Sequence, residues 1–330
     1  MANSDLNAAK KAKKDEFYTQ LSDIENELRH YKEHFRGKTV LCNCDDPRVS
    51  MFFHYFAYQF EALGLKRLIT TCYKNQTPDL FSQHDCERAI WLEYLGDKNG
   101  NRVPDPEEIG IRQLQGDGDF RSQECIELLK QADIVVTNPP FSLFREYLAQ
   151  LVKYDKKFLI LGNKNLITKK EVFPLFMQNK IWTGCRGFSG GMWFVSDYEG
   201  KTEKVVKGKK LINVPSIWYT NLDHKKRHEE LILFRNYTPE AYPRYVNYDA
   251  IEVSKTEDIP CDYDGLMGVP ITFMDKYNPE QFEIIGVSLV LGNKKPADLP
   301  KDKQGGPAFY LKENGEYRRL YDRIVIRRRK

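Results

Sequence analysis

The sequence predicts an α/β fold organised around a parallel sheet, and three observations support this prediction. Residues 39–44 and 67–73 are apolar strands separated by one helix, which is the spacing of a right-handed βαβ unit. Residues 134–136 form a third apolar, β-branched run, which is typical of a buried parallel strand. With 330 residues and 41% hydrophobic content, the chain can build one large domain and a smaller one.

The N-terminal region is predicted to contain a tail and a long helix. Residues 1–14 are basic and lack apolar periodicity, so we expect them to be disordered. A helix is expected from residue 15 to residue 35, because Leu21, Ile24, Leu28 and Tyr31 fall on one face. Gly37 is expected to end it.

The helix of the βαβ unit is predicted to begin near Pro47, a favourable first helical residue, and to stop at Gly64. Its aromatic residues are expected in the core rather than in a ligand site. Residues 74–110 read as an irregular insertion, with a hairpin turn at residues 97–101.

The remaining elements follow in order along the chain. They are a loop at 116–122, a helix to 130, the strand at 134–136 and its following helix, a strand at 157–161, a helix opened by a capping box at 168–171, and strands at 181–182 and 192–195. Regular alternation fades after residue 222. We therefore predict a catalytic domain at 15–222 and a second region at 223–330.

The third strand ends in Asn138, Pro139, Pro140 and Phe141, and these residues carry the functional argument. Prolines lack the donors of a sheet ladder, so the strand must stop there. Ser142 is a candidate N-cap for the helix that follows. The motif is therefore expected in a rigid turn at the carboxyl end of a strand, where open α/β sheets bind ligands.

These residues can orient an amine. The Asn138 side-chain carbonyl and the backbone carbonyl before Pro140 are two acceptors that can hold both hydrogens of an exocyclic NH2 group. The nitrogen lone pair then stays available for attack, while Phe141 can stack on the ring that carries the amine. A plain proline turn is the structural alternative. Asn-Pro-Pro-aromatic at a strand end is the signature of S-adenosylmethionine-dependent amino methyltransferases.

A methyl donor with adenosine and amino-acid ends needs further partners. Asn43 and Asp45 follow the first strand and can hold the methionine end. Asp119 can accept from the adenine amine beside Phe120, although a loop that caps the next helix is the alternative. Many such enzymes carry an acidic residue after the second strand to hold the ribose hydroxyls, and this acid is missing here. Cys72 lies at that position and is the candidate donor-binding residue there.

Five stretches occur in the order found in the EcoRI-type adenine-specific DNA methyltransferase family, which the chain resembles over residues 15–286. They are Phe17-Tyr18-Thr19-Gln20, Asn43-Cys44-Asp45-Asp46-Pro47, Gly116-Asp117-Gly118-Asp119-Phe120, Asn138-Pro139-Pro140-Phe141-Ser142 and Gly268-Val269-Pro270-Ile271-Thr272-Phe273. The resemblance implies a seven-stranded, mostly parallel Rossmann-like sheet with helices on both faces, S-adenosylmethionine as donor and a C-terminal DNA-recognition region. Residues 287–330 are left unmatched by this resemblance.

The resemblance also implies roles and partners. Tyr18 and Thr19 would close the donor pocket, and Asn138, Pro139, Pro140 and Phe141 would act on N6 of an adenine flipped out of duplex DNA. Trp193 would be the second aromatic that stacks on the base, unless it is a core residue. The family implies a monomer, a short palindromic site such as GAATTC, and a companion restriction endonuclease. No metal is required.

Other substrates and a non-enzymatic role stay open on sequence alone. The same motif serves enzymes that methylate RNA adenines or protein glutamines, and the unusual turn after the first strand allows an inactive DNA-binding scaffold. Lysines at 201–210 and arginines at 318–329 can face phosphates. A solvated loop and a frayed tail are the alternatives, and the frayed tail is the favoured interpretation of the arginines taken alone. Without a signal peptide or an apolar membrane span, we expect a cytoplasmic protein.

Overall fold

The computed structural model describes residues 18–44, 50–73, 89–101, 104–105, 107–188, 191–195, 204–206, 209–303 and 305–329. The chain divides into two compact units. The first comprises Met1–Lys164 and Gly184–Asp223, and the second Asn165–Thr183 and His224–Lys330. Within the described ranges, no helix is long and apolar enough to cross a membrane.

The strands of the described residues are β1 (Tyr18–Thr19), β2 (Thr39–Asn43), β3 (Arg67–Thr71), β4 (Ile90–Tyr94), β5 (Ile109–Gln113), β6 (Ile134–Thr137), β7 (Lys157–Asn163), β8 (Trp182–Thr183), β9 (Met192–Val195), β10 (Lys204–Val206), β11 (Lys209–Val214), β12 (Ser216–Thr220), β13 (Ile251–Glu252), β14 (Met267–Pro270), β15 (Phe282–Val287), β16 (Tyr310–Glu313), β17 (Glu316–Arg319) and β18 (Arg323–Arg328). The α-helices are α1 (Leu21–Leu28), α2 (Lys32–Phe35), α3 (Met51–Tyr58), α4 (Phe60–Leu63), α5 (Gln123–Gln131), α6 (Phe144–Lys153), α7 (Phe173–Met177) and α8 (Ser288–Leu291).

The central sheet confirms the α/β prediction. Its order is β5-β4-β3-β2-β6-β7-β12-β8, so it has eight strands and the implied count of seven is wrong. The inner strands β3, β2, β6 and β7 are parallel. The flanking pairs β3–β4, β4–β5 and β7–β12 are antiparallel. The carboxyl ends of the parallel strands therefore meet at one edge.

Helices cover both faces of this sheet. On one face, α1 to α4 pack with alternate strand residues such as Val40, Val136 and Leu159 in a single apolar cluster. On the other face, α6 packs through Phe144, whose ring lies 4.9 Å from that of Tyr219. The aromatic face predicted for the helix after β2 is buried, as expected of core residues.

The predicted helix over residues 15–35 is wrong in both extent and continuity. Tyr18 and Thr19 pair antiparallel with Val195 and Phe194 of β9, so this segment is a strand of the sheet β1-β9-β11-β10. The helical part is broken between α1 and α2. The partner strand is remote in sequence, which is why helical periodicity in the local sequence could not reveal it.

Two further corrections concern helix starts. The predicted capping box at residues 168–171 does not open a helix, because α7 begins at Phe173 with Pro174 in its first turn. Thr168 instead donates its hydroxyl to the Asp322 carboxylate at 3.2 Å. The helix after β2 begins at Met51, where Ser50 Oγ accepts from the Phe53 N–H at 3.5 Å. The predicted start at Pro47 and the predicted disorder of residues 1–14 lie outside the described residues.

The second unit contains the sheet β13-β14-β18-β15 and the hairpin β16–β17. Strand β18 is an inner strand with Ile324, Val325 and Ile326 fully buried. The interpretation of the C-terminal arginines as a frayed tail is therefore wrong.

Candidate active site

Strand β6 leads directly into the Asn-Pro-Pro-Phe motif. Asn138 and Pro139 are buried, whereas Pro140 and Phe141 are half-buried. The Leu143 N–H donates to the Pro140 carbonyl at 2.9 Å, which closes the turn. Helix α6 then begins at Phe144 with Leu143 as its N-cap residue, so Ser142 does not fill the predicted capping position. The prolines stop the ladder where the sequence placed the end of the strand.

The Pro139 carbonyl is the backbone acceptor of the predicted amine clamp. No donor in the described part of the chain forms a hydrogen bond with it. The peptide that follows belongs to Pro140, which has no N–H of its own to compete. The turn therefore holds, one residue after Asn138, a backbone acceptor that has no partner among the described residues.

Asn43 lies at the carboxyl end of β2, beside β6. The Thr137 hydroxyl donates to the Asn43 backbone carbonyl, and the Tyr147 hydroxyl donates to Asn43 Oδ1. Burial raises the pKa of Tyr147 well above its ordinary value, so the phenol stays protonated and acts as a donor. This network fixes the Asn43 amide next to the strand that carries Asn138.

The loop that contains Asp119 lies against the end of β3. Gly118 has a φ of +80°, and a Cβ there would lie 2.1 Å from the Cys72 carbonyl oxygen, so only glycine fits. Cys72 is buried, and its carbonyl oxygen faces Gly118. The structure thus brings the loop and Cys72 together.

Asp119 is held by Arg121. The Arg121 guanidinium donates to both carboxylate oxygens, at 2.9 Å to Oδ1 and 2.6 Å to Oδ2. These bonds hold the pKa of Asp119 below its ordinary value, so the group is an anion. The neighbouring Phe120 ring lies 5.1 Å from that of Tyr147, edge to face, and the Phe120 carbonyl accepts from Gln150 Nε2 at 2.9 Å.

A second set of candidates meets around Phe141. The centres of the Phe141 ring and the Phe194 ring of β9 lie 6.3 Å apart, and the two rings pack edge to face. Thr19 pairs with Phe194 in the ladder, and its buried Oγ1 has no hydrogen-bond partner among the described residues. Trp193 lies on the opposite side of β9, because side chains alternate along a strand. Its ring lies 5.8 Å from the Lys204 ammonium.

The side chains of two further predicted site residues, Asp45 and Tyr18, are not described by the structure. Asp45 is not among the described residues, and only the backbone of Tyr18 is described. Sequence reasoning missed two site residues. Tyr147 looked like an apolar residue on a helix face, and Arg121 followed the loop without a recognisable spacing. Only the fold brings each of them to its partner.

A family model described as "Adenine-specific methyltransferase EcoRI" matches residues 5–329, nearly the whole chain. The chain belongs to this family. It is therefore an adenine-specific methyltransferase, and its reaction requires a methyl donor. The match includes the C-terminal stretch, which the resemblance seen in the sequence left out.

Three relatives support the assignment. The chain is 54% identical to the "Type II methyltransferase M.EcoRI" of Escherichia coli over 86% of its own length and 89% of the relative's. It is 39% identical to M.MgeORF184P of Mycoplasma genitalium over 85% of each chain. It is 38% identical to M.MpnI of Mycoplasma pneumoniae over 98% of each chain. Both carry the description "Type II methyltransferase". No solved structure matches.

Proposed function

We propose that this methyltransferase transfers the methyl group of S-adenosylmethionine to N6 of an adenine flipped out of duplex DNA. The supporting observation is the turn after β6, in which Asn138 is followed directly by the Pro139 carbonyl, an acceptor that has no hydrogen-bond partner among the described residues. An adenine amine inside a duplex is paired and out of reach, so the base must leave the stack.

The chain's own residues suit the donor. Within the part of the chain that the structure describes, buried Thr19 Oγ1 lacks a protein partner and Oδ2 of Asp119 accepts only one bond. We assign the methionine end to Tyr18, Thr19, Asn43 and Asp45, and the adenosine end to Cys72, Asp119 and Phe120, with Asn138 at the junction. When bound, the donor supplies an electrophilic methyl group on a positively charged sulfur.

The proposed chemistry consists of positioning. Asn138 and the Pro139 carbonyl accept the two N6 hydrogens, which fixes the amine and leaves its lone pair directed at the methyl group. Phe141 stacks on the base, and Pro140 keeps the turn rigid. Trp193 is not assigned a stacking role, because its side chain lies on the side of β9 opposite to Phe194 and Phe141. No step requires a metal or a covalent intermediate.

We further assign residues 223–330 to DNA recognition and propose a monomer that acts in the cytoplasm beside a companion restriction endonuclease. The names of the three relatives, all type II methyltransferases, support the restriction–modification setting. Several C-terminal arginines are engaged within this region: Arg323 with Glu252, Arg327 with Glu283 and Arg328 with the Cys261 carbonyl. Recognition is therefore expected to use other residues than these.

The substrate is tested with radiolabelled S-adenosylmethionine and three acceptors, namely unmethylated genomic DNA, total RNA and denatured protein. We expect label only in DNA, with N6-methyladenine confined to one short sequence when the modified positions are mapped. Label confined to RNA or protein would overturn the proposed substrate. Absence of transfer to all three, with intact DNA binding, would support an inactive scaffold instead.

The clamp is tested by Asn138→Ala. We expect kcat to fall by about a hundredfold or more, because a preorganised contact to the reacting amine is lost. The dissociation constant for S-adenosylmethionine should change little by comparison. Asn26→Ala, an exposed substitution on α1, is the matched control. Unchanged turnover in Asn138→Ala would rule out the clamp.

A further inference from the structure

The ion pair between Arg121 and Asp119 has a geometry that goes beyond a surface salt bridge. Oδ1 of Asp119 accepts from the Arg121 backbone N–H at 2.8 Å and from Arg121 Nε at 2.9 Å. Oδ2 accepts from Arg121 Nη2 at 2.6 Å. The guanidinium therefore binds both oxygens of one carboxylate, which fixes the orientation of its plane.

This arrangement leaves a defined acceptor. A carboxylate has about four lone-pair positions, two on each oxygen. Among the described residues, donors use both positions on Oδ1, whereas Oδ2 accepts one bond and keeps one position open. The side chain of Asp119 is 22% exposed, so this remaining position can reach a ligand.

Arg121 is itself anchored at a second point. Its Nη1 donates to Glu146 at 3.0 Å, on the helix that follows the Asn-Pro-Pro-Phe motif. Its guanidinium also lies 5.3 Å from the centre of the Phe120 ring. The arginine therefore connects the Asp119 loop to α6, the helix that positions Tyr147 and Asn43.

We propose that Arg121 is the positioning residue for the donor's adenine ring, because it holds Asp119 with one Oδ2 acceptor directed to the adenine amine. The inference rests on the proposed function, which assigns Asp119 to that ring. Asp119 makes the contact, and Arg121 acts only through it. A flexible or protonated Asp119 would bind the amine less well, and Arg121 prevents both.

The test compares two ligands that differ at the amidine edge of the purine ring. S-adenosylhomocysteine carries the adenine amine, and S-inosylhomocysteine carries a carbonyl oxygen in its place together with a hydrogen on N1. Calorimetry of the full-length protein should show that the wild type prefers the adenine form by about tenfold or more, since a hydrogen bond to a charged group is lost in the other. Asp119→Asn and Arg121→Gln should each reduce this preference severalfold. Arg121→Lys keeps the positive charge but cannot donate to both carboxylate oxygens at once, so this variant should keep only part of the preference for the adenine ligand.

Two controls separate positioning from a general structural role. Glu146→Gln removes the second ion pair of Arg121 but leaves the Asp119 fork, and should keep most of the preference. Arg112→Gln removes another exposed arginine near a carboxylate in the same unit and should change nothing. The side chains of Arg112, Arg121 and Glu146 are exposed, so folding should be retained in the variants of these three residues.

The outcomes distinguish the two levels of the argument. If Asp119→Asn loses the preference and Arg121→Gln keeps it, Asp119 binds the ring and the inference about Arg121 is overturned. If Asp119→Asn also keeps the preference, the assignment of Asp119 in the proposed function fails as well. Loss of the preference in Arg121→Gln, with kcat at saturating donor near the wild-type value, supports the proposal.

Discussion

Glu27 of α1 is a fully buried carboxylate, and its partners explain why the chain keeps a charge there. Oε1 accepts from the Cys185 N–H at 2.6 Å and from the Tyr31 hydroxyl at 2.9 Å, and Oε2 accepts from the Arg186 N–H at 2.8 Å. A Cβ on Gly184 would lie 2.3 Å from Oε1, so the backbone approaches closely. The carboxylate thereby fixes residues 184–186, just before the strand that carries Trp193.

Glu27→Gln tests this role. The amide nearly matches the volume of the carboxylate, but it replaces one acceptor with a donor and sets it against a donor partner. We expect the free energy of unfolding to fall by about 3 kcal/mol, since buried donors lose a charged partner. Urea unfolding measures it. Glu25→Gln on the exposed side of α1 should stay within about 0.5 kcal/mol, and equal effects in both variants would contradict the argument.

Among the helices and strands, the sequence predicted the ones that are defined by short-range sequence patterns. The apolar run of β6, stopped by Pro139 and Pro140, needs only short-range information. Strand β12, with Ser216–Thr220 buried throughout, lies between β7 and β8 and was not predicted. Because every residue of this strand is buried, its sequence does not alternate between apolar and polar residues and cannot be told from any other apolar segment.

Strand β18 escaped prediction for a different reason. Its apolar centre is only three residues long and is followed by three arginines, a pattern that reads as a basic tail. In the fold this segment is an inner strand, and Arg323 forms an ion pair with the buried Glu252 of β13. The guanidinium donates to both carboxylate oxygens at 2.7 to 3.1 Å, and Tyr245 donates its hydroxyl to Oε2 at 2.5 Å. Long-range charge pairing of this kind leaves no periodic signal.

Two arginines of β18 therefore make a matched pair of variants. Arg323→Gln leaves the buried Glu252 carboxylate without its charged partner, and we expect it to lower the free energy of unfolding by about 3–5 kcal/mol. Arg327→Gln breaks an exposed pair with Glu283 and should cost about 0–1 kcal/mol. Hydrogen exchange of peptides covering β18 measures both. Equal protection in the two variants would contradict the assignment of β18 as an inner strand held by this network.

At the scale of the whole molecule, buried tyrosines set the response to alkaline pH. Burial raises the pKa of Tyr55 and of Tyr94 to about 12, with nearby carboxylates adding to the effect. Burial also raises the pKa values of Tyr31 and Tyr147 in the first unit and of Tyr245 in the second. The unfolded chain, with tyrosine pKa values near 10, releases these protons first.

Stability should therefore be lost as the pH rises above 10. A group whose pKa is higher in the folded state stabilises fully below its unfolded pKa, and each tyrosine then costs up to about 1.4 kcal/mol per pH unit until its folded pKa is reached. Urea unfolding of the full chain between pH 9 and pH 11.5 should show this fall. Tyr94→Phe removes one titrating group and should flatten the slope, whereas Tyr58→Phe, on an exposed residue, should not. A slope identical in all three proteins would show that Tyr94 does not control alkaline stability, because a phenol that titrates alike in both states adds nothing to it.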